Sequence, residues 1–85
     1  MRTVWLPLIA EVEWSAGGRG QERPLALRCG GERVGLRVDK GWTDGPVNAA
    51  APVWRVFLAL DTLGRRLRIR ADAEGRTRVE VETPG

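Results

Sequence analysis

The feature that most constrains the fold is a five-residue segment, Asp-x-x-Gly-Arg, which occurs at residues 61–65 and again at residues 72–76. Asp is typical of the first position of a type I turn, and Gly supplies the left-handed residue of the bulge that follows. Each copy therefore predicts a three-residue hairpin loop. Two tight hairpins so close together predict three neighbouring antiparallel strands, a C-terminal meander.

The two turns also predict which residues of this meander face each other. Closing each loop between its Asp and its Arg gives a set of pairs. On one face Ile69 pairs with Val79, Leu67 with Val81, Phe57 with Ile69 and Ala59 with Leu67, and on the other Arg68 pairs with Glu80 and Arg66 with Glu82. One face is therefore expected to be apolar across three strands, and the other to carry ion pairs.

Alternation with period two continues through the N-terminal half, and no segment has apolar residues at helical spacing over ten or more positions. Apolar residues alternate in residues 4–14, 25–29 and 34–38. Gly30-Gly31 suits a two-residue hairpin turn between the last two segments. Pro7 cannot donate a ladder hydrogen bond, so the first strand is expected at a sheet edge.

The length of 85 residues leaves room for one domain, and a domain this small buries only about 60–65 % of its unfolded surface. Its core must be thin, so a second copy or well-paired surface charges are expected to add stability. Residues 15–21 and 39–52 are predicted to be loops. We therefore expect one all-β domain over residues 1–85. It should contain about six mostly antiparallel strands in a small barrel or a strongly bent sheet.

The residue types that are missing exclude most catalytic and metal chemistry. The chain has no histidine, and Cys29 is its only cysteine. Histidine bases and Ser-His triads are therefore excluded, and a lone thiol cannot form a disulfide within the chain or a thiolate metal site. We expect a non-enzymatic protein with no cofactor and no metal. No run approaches the roughly 18 apolar residues of a membrane span, so a soluble, cytoplasmic protein is expected.

The net charge of +3 comes from thirteen arginines and the single Lys40 against eleven carboxylates. This skew toward arginine indicates a GC-rich bacterial genome, such as that of a thermophile, more than it indicates a nucleic-acid site. The total charge is too diluted to attract phosphate strongly by itself. Any basic surface must therefore come from the placement of the arginines in the fold.

One surface of the meander is predicted to bind a partner. Its residues are Trp54, Val56, Leu58 and Leu60 together with Arg66, Arg68, Arg70 and Arg78. A strand that is apolar on both sides is normally covered on both sides, so the sheet could close on itself, with arginine stems over the aliphatic residues, or pack against a second copy. Trp and Arg also anchor protein interfaces. Self-association or protein binding is the leading interpretation.

Single-stranded nucleic acid is the alternative partner for the same surface, through base stacking on tryptophan and phosphate contacts to arginine. Glu80 and Glu82 weigh against this alternative, because the predicted register places them opposite Arg68 and Arg66 and would neutralise half of the patch.

The order of several residues resembles the layout of an uncharacterised family of short bacterial proteins rich in Trp and Arg. They are Pro24, the valine-rich hairpin, Trp42, Trp54-Arg55-Val56 and the closing Gly75-Arg76. The resemblance covers residues 22–82, although the extra tryptophans and the tyrosine typical of the family are missing here. Some members resemble segments found near translesion polymerases. The resemblance therefore implies a role around DNA, and it implies no catalytic residue.

Overall fold

The computed structural model describes residues 2–15, 22–45 and 53–84, in which the regular secondary structure is all β-strand. The strands are β1 (Thr3–Pro7), β2 (Glu11–Ser15), β3 (Arg23–Cys29), β4 (Glu32–Asp44), β5 (Trp54–Asp61), β6 (Arg66–Asp72) and β7 (Thr77–Pro84). They form one antiparallel sheet in the order β1-β7-β6-β5-β4-β3-β2. Most of the first predicted loop and residues 46–52 of the second lie outside the described residues. The described part of the chain holds no helix able to cross a membrane.

The C-terminal meander has the predicted register. Ile69 lies opposite Phe57 on one side and Val79 on the other, and Arg68 lies opposite Glu80. The Gly30-Gly31 hairpin is also confirmed, since Cys29 lies opposite Glu32 and Leu27 opposite Val34, and both glycines have positive φ, 56° and 86°. Positive φ at both central residues is the geometry of a type I′ turn, whose twist matches that of paired strands.

Each turn of the Asp-x-x-Gly-Arg repeat is held by its Asp side chain. Oδ1 of Asp61 accepts hydrogen bonds from the backbone N–H of Leu63 at 2.9 Å and of Arg65 at 2.8 Å, and Oδ2 accepts one from Nε of Arg65 at 2.7 Å. Asp72 makes the equivalent three bonds in the second turn, at 2.6 to 2.9 Å. Both aspartates are buried. The hydrogen bonds satisfy carboxylates that would otherwise be costly to bury.

The first predicted strand is divided in two, which gives seven strands in place of about six. β1 pairs with β7 and β2 pairs with β3, and residues 8–10 lie between them. Pro7 has no N–H to donate, and after Leu8 donates its backbone N–H to the carbonyl of Val79 at 2.8 Å the chain changes its partner strand. β1 is an edge strand, as Pro7 predicted. No ladder joins β1 to β2 among the described residues, so the sheet is not a closed barrel.

The two edges of the sheet nevertheless lie near each other, because only residues 8–10 connect them. A flat sheet of seven strands at about 4.8 Å spacing would separate its edges by about 29 Å. Three residues bridge at most about 15 Å between the strands that they join. The sheet must therefore bend strongly. The connecting residues touch both sides, since Cys29 Sγ lies 3.7 Å from the backbone oxygen of Ile9 in addition to the bond between Leu8 and β7.

The concave side of the bent sheet holds the core. Its buried cluster is Leu27, Phe57, Leu67, Ile69 and Val79, with Leu8, Ala10, Val12, Trp14, Leu36, Val38 and Val81 packed against it. Trp14 meets Phe57 edge to face, with ring centroids 5.8 Å apart. This contact links residues from both halves of the described chain in one core.

Residues 39–44 were predicted to begin a loop, and this prediction is wrong because β4 continues to Asp44. A register shift between Val38 and Lys40 bends the strand and lets it follow β5. Gly41 then passes directly over Phe57, where a Cβ would lie 3.1 Å from the ring. A residue that sequence reasoning took as a loop signal is thus a point of close packing.

Candidate functional site: the outer face of the sheet

The outer face is the side of β1, β4, β5, β6 and β7 that points away from the core. The register places on it Trp5 of β1, Arg37, Lys40 and Trp42 of β4, Trp54, Val56, Leu58 and Leu60 of β5, Arg66, Arg68 and Arg70 of β6, and Arg78, Glu80 and Glu82 of β7. All eight residues of the predicted surface therefore share this face. The turns that fix the register bring them together, because opposite residues of antiparallel strands point the same way.

The aliphatic stripe of β5, which consists of Val56, Leu58 and Leu60, is only partly open to solvent. Val56 is 2 % exposed, between its register partners Trp42 and Arg70. Leu58 and Leu60 are half-buried. Two leucines thus present apolar surface on a strand whose other side already contributes to the core.

Glu80 organises two of the arginines. Its Oε1 accepts a hydrogen bond from Nε of Arg68 at 2.9 Å and one from Nη2 of Arg70 at 2.8 Å. The Glu80 side chain is 16 % exposed, so both bonds are partly shielded from water. Glu82 lies farther from Arg66, at 3.9 Å. The predicted neutralisation of the patch thus centres on Glu80, which binds two guanidinium groups rather than one.

Tryptophan rings flank the arginines at both ends of the face. The guanidinium carbon of Arg68 lies 4.8 Å from the ring centroid of Trp5, and that of Arg78 lies 5.7 Å from the ring centroid of Trp54. Both distances are within the range of cation–π attraction. Arg68 is therefore held between an indole ring and Glu80, which fixes the position of its charge.

Trp5 and Trp42 belong to this face but were not among the predicted site residues. Trp5 lies opposite Glu82 in the β1–β7 ladder, and Trp42 lies opposite Val56 in the β4–β5 ladder. The only signal for Trp5 was its alternation with the core-facing residues of the first strand. For Trp42 there was none, because its segment was predicted to be a loop.

Arg78 differs from the other arginines of the surface. All eleven carboxylate side chains lie in the described residues, and none of them forms an ion pair with Arg78. The side chain is exposed and lines a cavity of about 610 Å³ together with Trp54, Arg70, Arg76 and Thr77. Nε of Arg70 is buried and has no hydrogen-bond partner in the described part of the chain. This end of the face thus carries donors that the protein itself does not use.

The outer face carries guanidinium donors, indole rings, aliphatic side chains and the carboxylates of Glu80 and Glu82. These are groups that can hold a partner. Within residues 2–15, 22–45 and 53–84, no group of three or more His, Cys, Asp or Glu side chains is placed to hold a metal ion.

Comparisons with protein-family models, with curated proteins and with solved structures give no significant match for this chain. The resemblance to short Trp- and Arg-rich bacterial proteins therefore stays a prediction.

Proposed function

We propose that this chain is a non-enzymatic interaction domain that associates with a second copy of itself through the outer face. The observation that carries the proposal is the apolar surface of Leu58 and Leu60 beside rows of opposite charge. β5 places Phe57 and Ala59 in the core and turns Leu58 and Leu60 outward. A small domain gains stability by covering such a strand on both sides.

The outer face carries both basic and acidic rows, so the faces of two copies can be complementary in charge. Arg66 and Arg68 form a row on β6, and Glu80 and Glu82 form a row on β7, one strand spacing of about 4.8 Å away. The proposed two-fold axis lies in the plane between the two copies, runs parallel to the strands and passes midway between β6 and β7. Rotation about this axis would set each basic row against the acidic row of the other copy. Two-fold dimers use one patch twice, so the patch must carry both members of each pair.

The same axis sets the aliphatic stripe against β1 of the other copy. β5 and β1 are the outer strands of the group β1-β7-β6-β5, so a rotation about its centre exchanges their positions. Leu58 and Leu60 would then meet Trp5 and Pro7 of the second copy. Tryptophan is among the residues that contribute most to binding at interfaces.

Arg68, which lies opposite Leu58, is better suited to a protein interface than to phosphate. Arg68 and Arg70 are both bonded to Glu80, which lowers the local positive potential. The bonds to Glu80 hold both arginines in place, and the ring of Trp5 also holds Arg68. Ordering them on association therefore costs less side-chain entropy than ordering free arginines.

The proposal is tested by the mass of the protein in solution. Sedimentation equilibrium from about 1 μM to about 1 mM covers weak to moderate self-association. A mass near twice the 9.4 kDa of one chain is expected at the upper concentrations. Leu58→Glu should give a monomer, because association would bury the new carboxylate in the interface. The fold of the monomer should tolerate the new carboxylate, because Lys40 and Arg68, the register partners of Leu58, are positively charged.

Leu63→Glu is the matched control, because Leu63 is 67 % exposed at the tip of a turn and lies outside the proposed interface. It introduces the same charge and should leave the dimer intact. A wild-type protein that stays monomeric at every concentration would contradict the proposal. So would a Leu58→Glu variant that associates as strongly as the wild type.

A further inference from the structure

We infer that the cavity between Trp54 and Arg78 is a site for single-stranded nucleic acid, which holds one base against the indole ring and the adjoining phosphate on the guanidinium groups. Neither Leu58 nor Leu60 lines this cavity, and the inference does not depend on self-association.

The lining of the cavity selects for an anion. Of its five lining residues, three are arginines, and no carboxylate is among them. Arg76 uses Nε for its bond to Asp72 and places Nη2 3.3 Å from Oε2 of Glu74, and Arg70 uses Nη2 for its bond to Glu80. Arg78 has no such ion-pair partner in the described chain. A guanidinium group presents its donors as a planar fork that matches two oxygens of a phosphate.

Trp54 adds a flat apolar wall to this anion site. The ring is half-buried, and the guanidinium carbon of Arg78 lies 5.7 Å from its centroid. A planar base stacks on such a ring, and stacking is tolerant of base identity because every base has a π face. A volume of about 610 Å³ is within the range of small-molecule sites. The combination of indole and guanidinium matches a phosphate joined to a planar base.

A second cavity favours a nucleic-acid strand over a free nucleotide as the ligand. It has a volume of about 450 Å³ and is lined by residues 7–10 and 77–80 together with Arg70, so its wall includes the Glu80 carboxylate that already binds Arg68 and Arg70. It shares Arg70, Thr77 and Arg78 with the first cavity, so Arg78 lies where the two meet. Ile9, which is 96 % exposed, offers apolar surface in the second cavity. A ligand with a repeating phosphate could place one unit on each side of Arg78.

The test is the fluorescence anisotropy of a labelled oligothymidylate of about 12 nucleotides, a length within the range of single-strand site sizes. The full chain should bind it with an affinity that falls as NaCl is raised from about 50 to about 200 mM. Arg78→Gln should weaken binding and reduce the slope of log affinity against log salt by about 0.7. Trp54→Leu should weaken binding at least about tenfold.

Arg37→Gln is the matched control, because it removes the same charge from the outer face opposite Leu60, at the other end of β5. Its affinity should stay within about twofold of the wild type, since it makes no phosphate contact in this proposal. Circular dichroism verifies that each variant is folded. Arg78→Gln keeps the test decisive if Trp54→Leu does not fold, because Arg78 is exposed and has no ion pair in the described residues.

Thymidine monophosphate and poly-L-glutamate complete the experiment. The oligonucleotide is expected to bind at least about tenfold more tightly than the mononucleotide, because it fills both cavities and makes more phosphate contacts. Equal affinities for the two would overturn the assignment to a strand. Equal binding of poly-L-glutamate would show a general response to anions and would overturn the assignment to nucleic acid. No binding of the oligonucleotide at low salt, or equal losses in Arg78→Gln and Arg37→Gln, would overturn the site itself.

Discussion

Replacing Asp61 by alanine is the sharpest test of how the sequence specifies this fold. The substitution removes three hydrogen bonds at once: those from the backbone N–H groups of Leu63 and Arg65, and the one from the Arg65 side chain. The side chain of Asp61 is 0 % exposed. Water therefore cannot reach the carboxylate, and the interaction is not weakened as an ion pair on the surface would be.

The expected loss of stability is about 2–3 kcal/mol. One hydrogen bond to a charged group contributes about 1.5–3 kcal/mol, and the three bonds do not add, because the donors left behind lie in a turn where water can replace the carboxylate. Leu63, the tip of that turn, is 67 % exposed. For a domain of this size, a loss of about 2–3 kcal/mol lowers the melting temperature by roughly 10–20 °C.

Urea unfolding followed by tryptophan fluorescence measures the loss, as a shift of roughly 1–2 M in the midpoint. Asp39→Ala is the control, because Asp39 is 45 % exposed and lies 3.7 Å from Arg37. That exposed pair should contribute about 0–1 kcal/mol. If Asp61→Ala is no more destabilising than Asp39→Ala, the buried carboxylate does not hold the turn and the reasoning is refuted.

Two further predictions concern acid stability and the core. Burial raises the pKa of Asp72, but the hydrogen bonds from Arg76 and Glu74 outweigh this and hold the pKa below its ordinary value of 3.8. A depressed folded-state pKa gives stability that is complete above about pH 4 and is lost as the pH falls further. Asp72→Asn should reduce that acid loss in urea midpoints measured between about pH 5 and pH 2, and an unchanged pH profile would contradict the assignment. Leu67→Ala, at a position that is 0 % exposed, should cost about 2–5 kcal/mol in the same assay. Leu63→Ala should cost less than about 0.5 kcal/mol, and similar costs for both would contradict the placement of Leu67 in the core.

The candidate site could be predicted only for residues on strands that a recognised turn connects. Each Asp-x-x-Gly-Arg turn fixes which residues of its own hairpin lie opposite each other, so Leu58 with Arg68 and Arg68 with Glu80 followed from the sequence. Trp5 could not be placed in the same way. It lies opposite Glu82, far away along the chain, and no turn connects their strands.

The ion-pair partners and the exposure of the side chains on the outer face also could not be predicted. The sequence predicts that Arg68 and Glu80 pair, but not that Arg70 joins the same carboxylate while Arg78 has no ion pair among the described residues. Distances between charges a few residues apart depend on the twist of the sheet and on rotamers, which period-two alternation does not encode. Val56 was likewise predicted to be available to a partner, yet it is 2 % exposed.

Local chemistry in the sequence determined that the chain forms β-strands, and it determined the three confirmed hairpin turns and the two faces of the C-terminal meander. These features follow from the φ preferences of Gly, the hydrogen bonding of Asp and the alternation of side chains, all of which act over a few residues. Only the tertiary structure decided that β1 pairs with β7, that the first strand divides at residues 8–10, and that β4 continues to Asp44. Those outcomes depend on contacts between distant parts of the chain, such as Gly41 over Phe57. Such contacts form only when the bent sheet brings its two ends together.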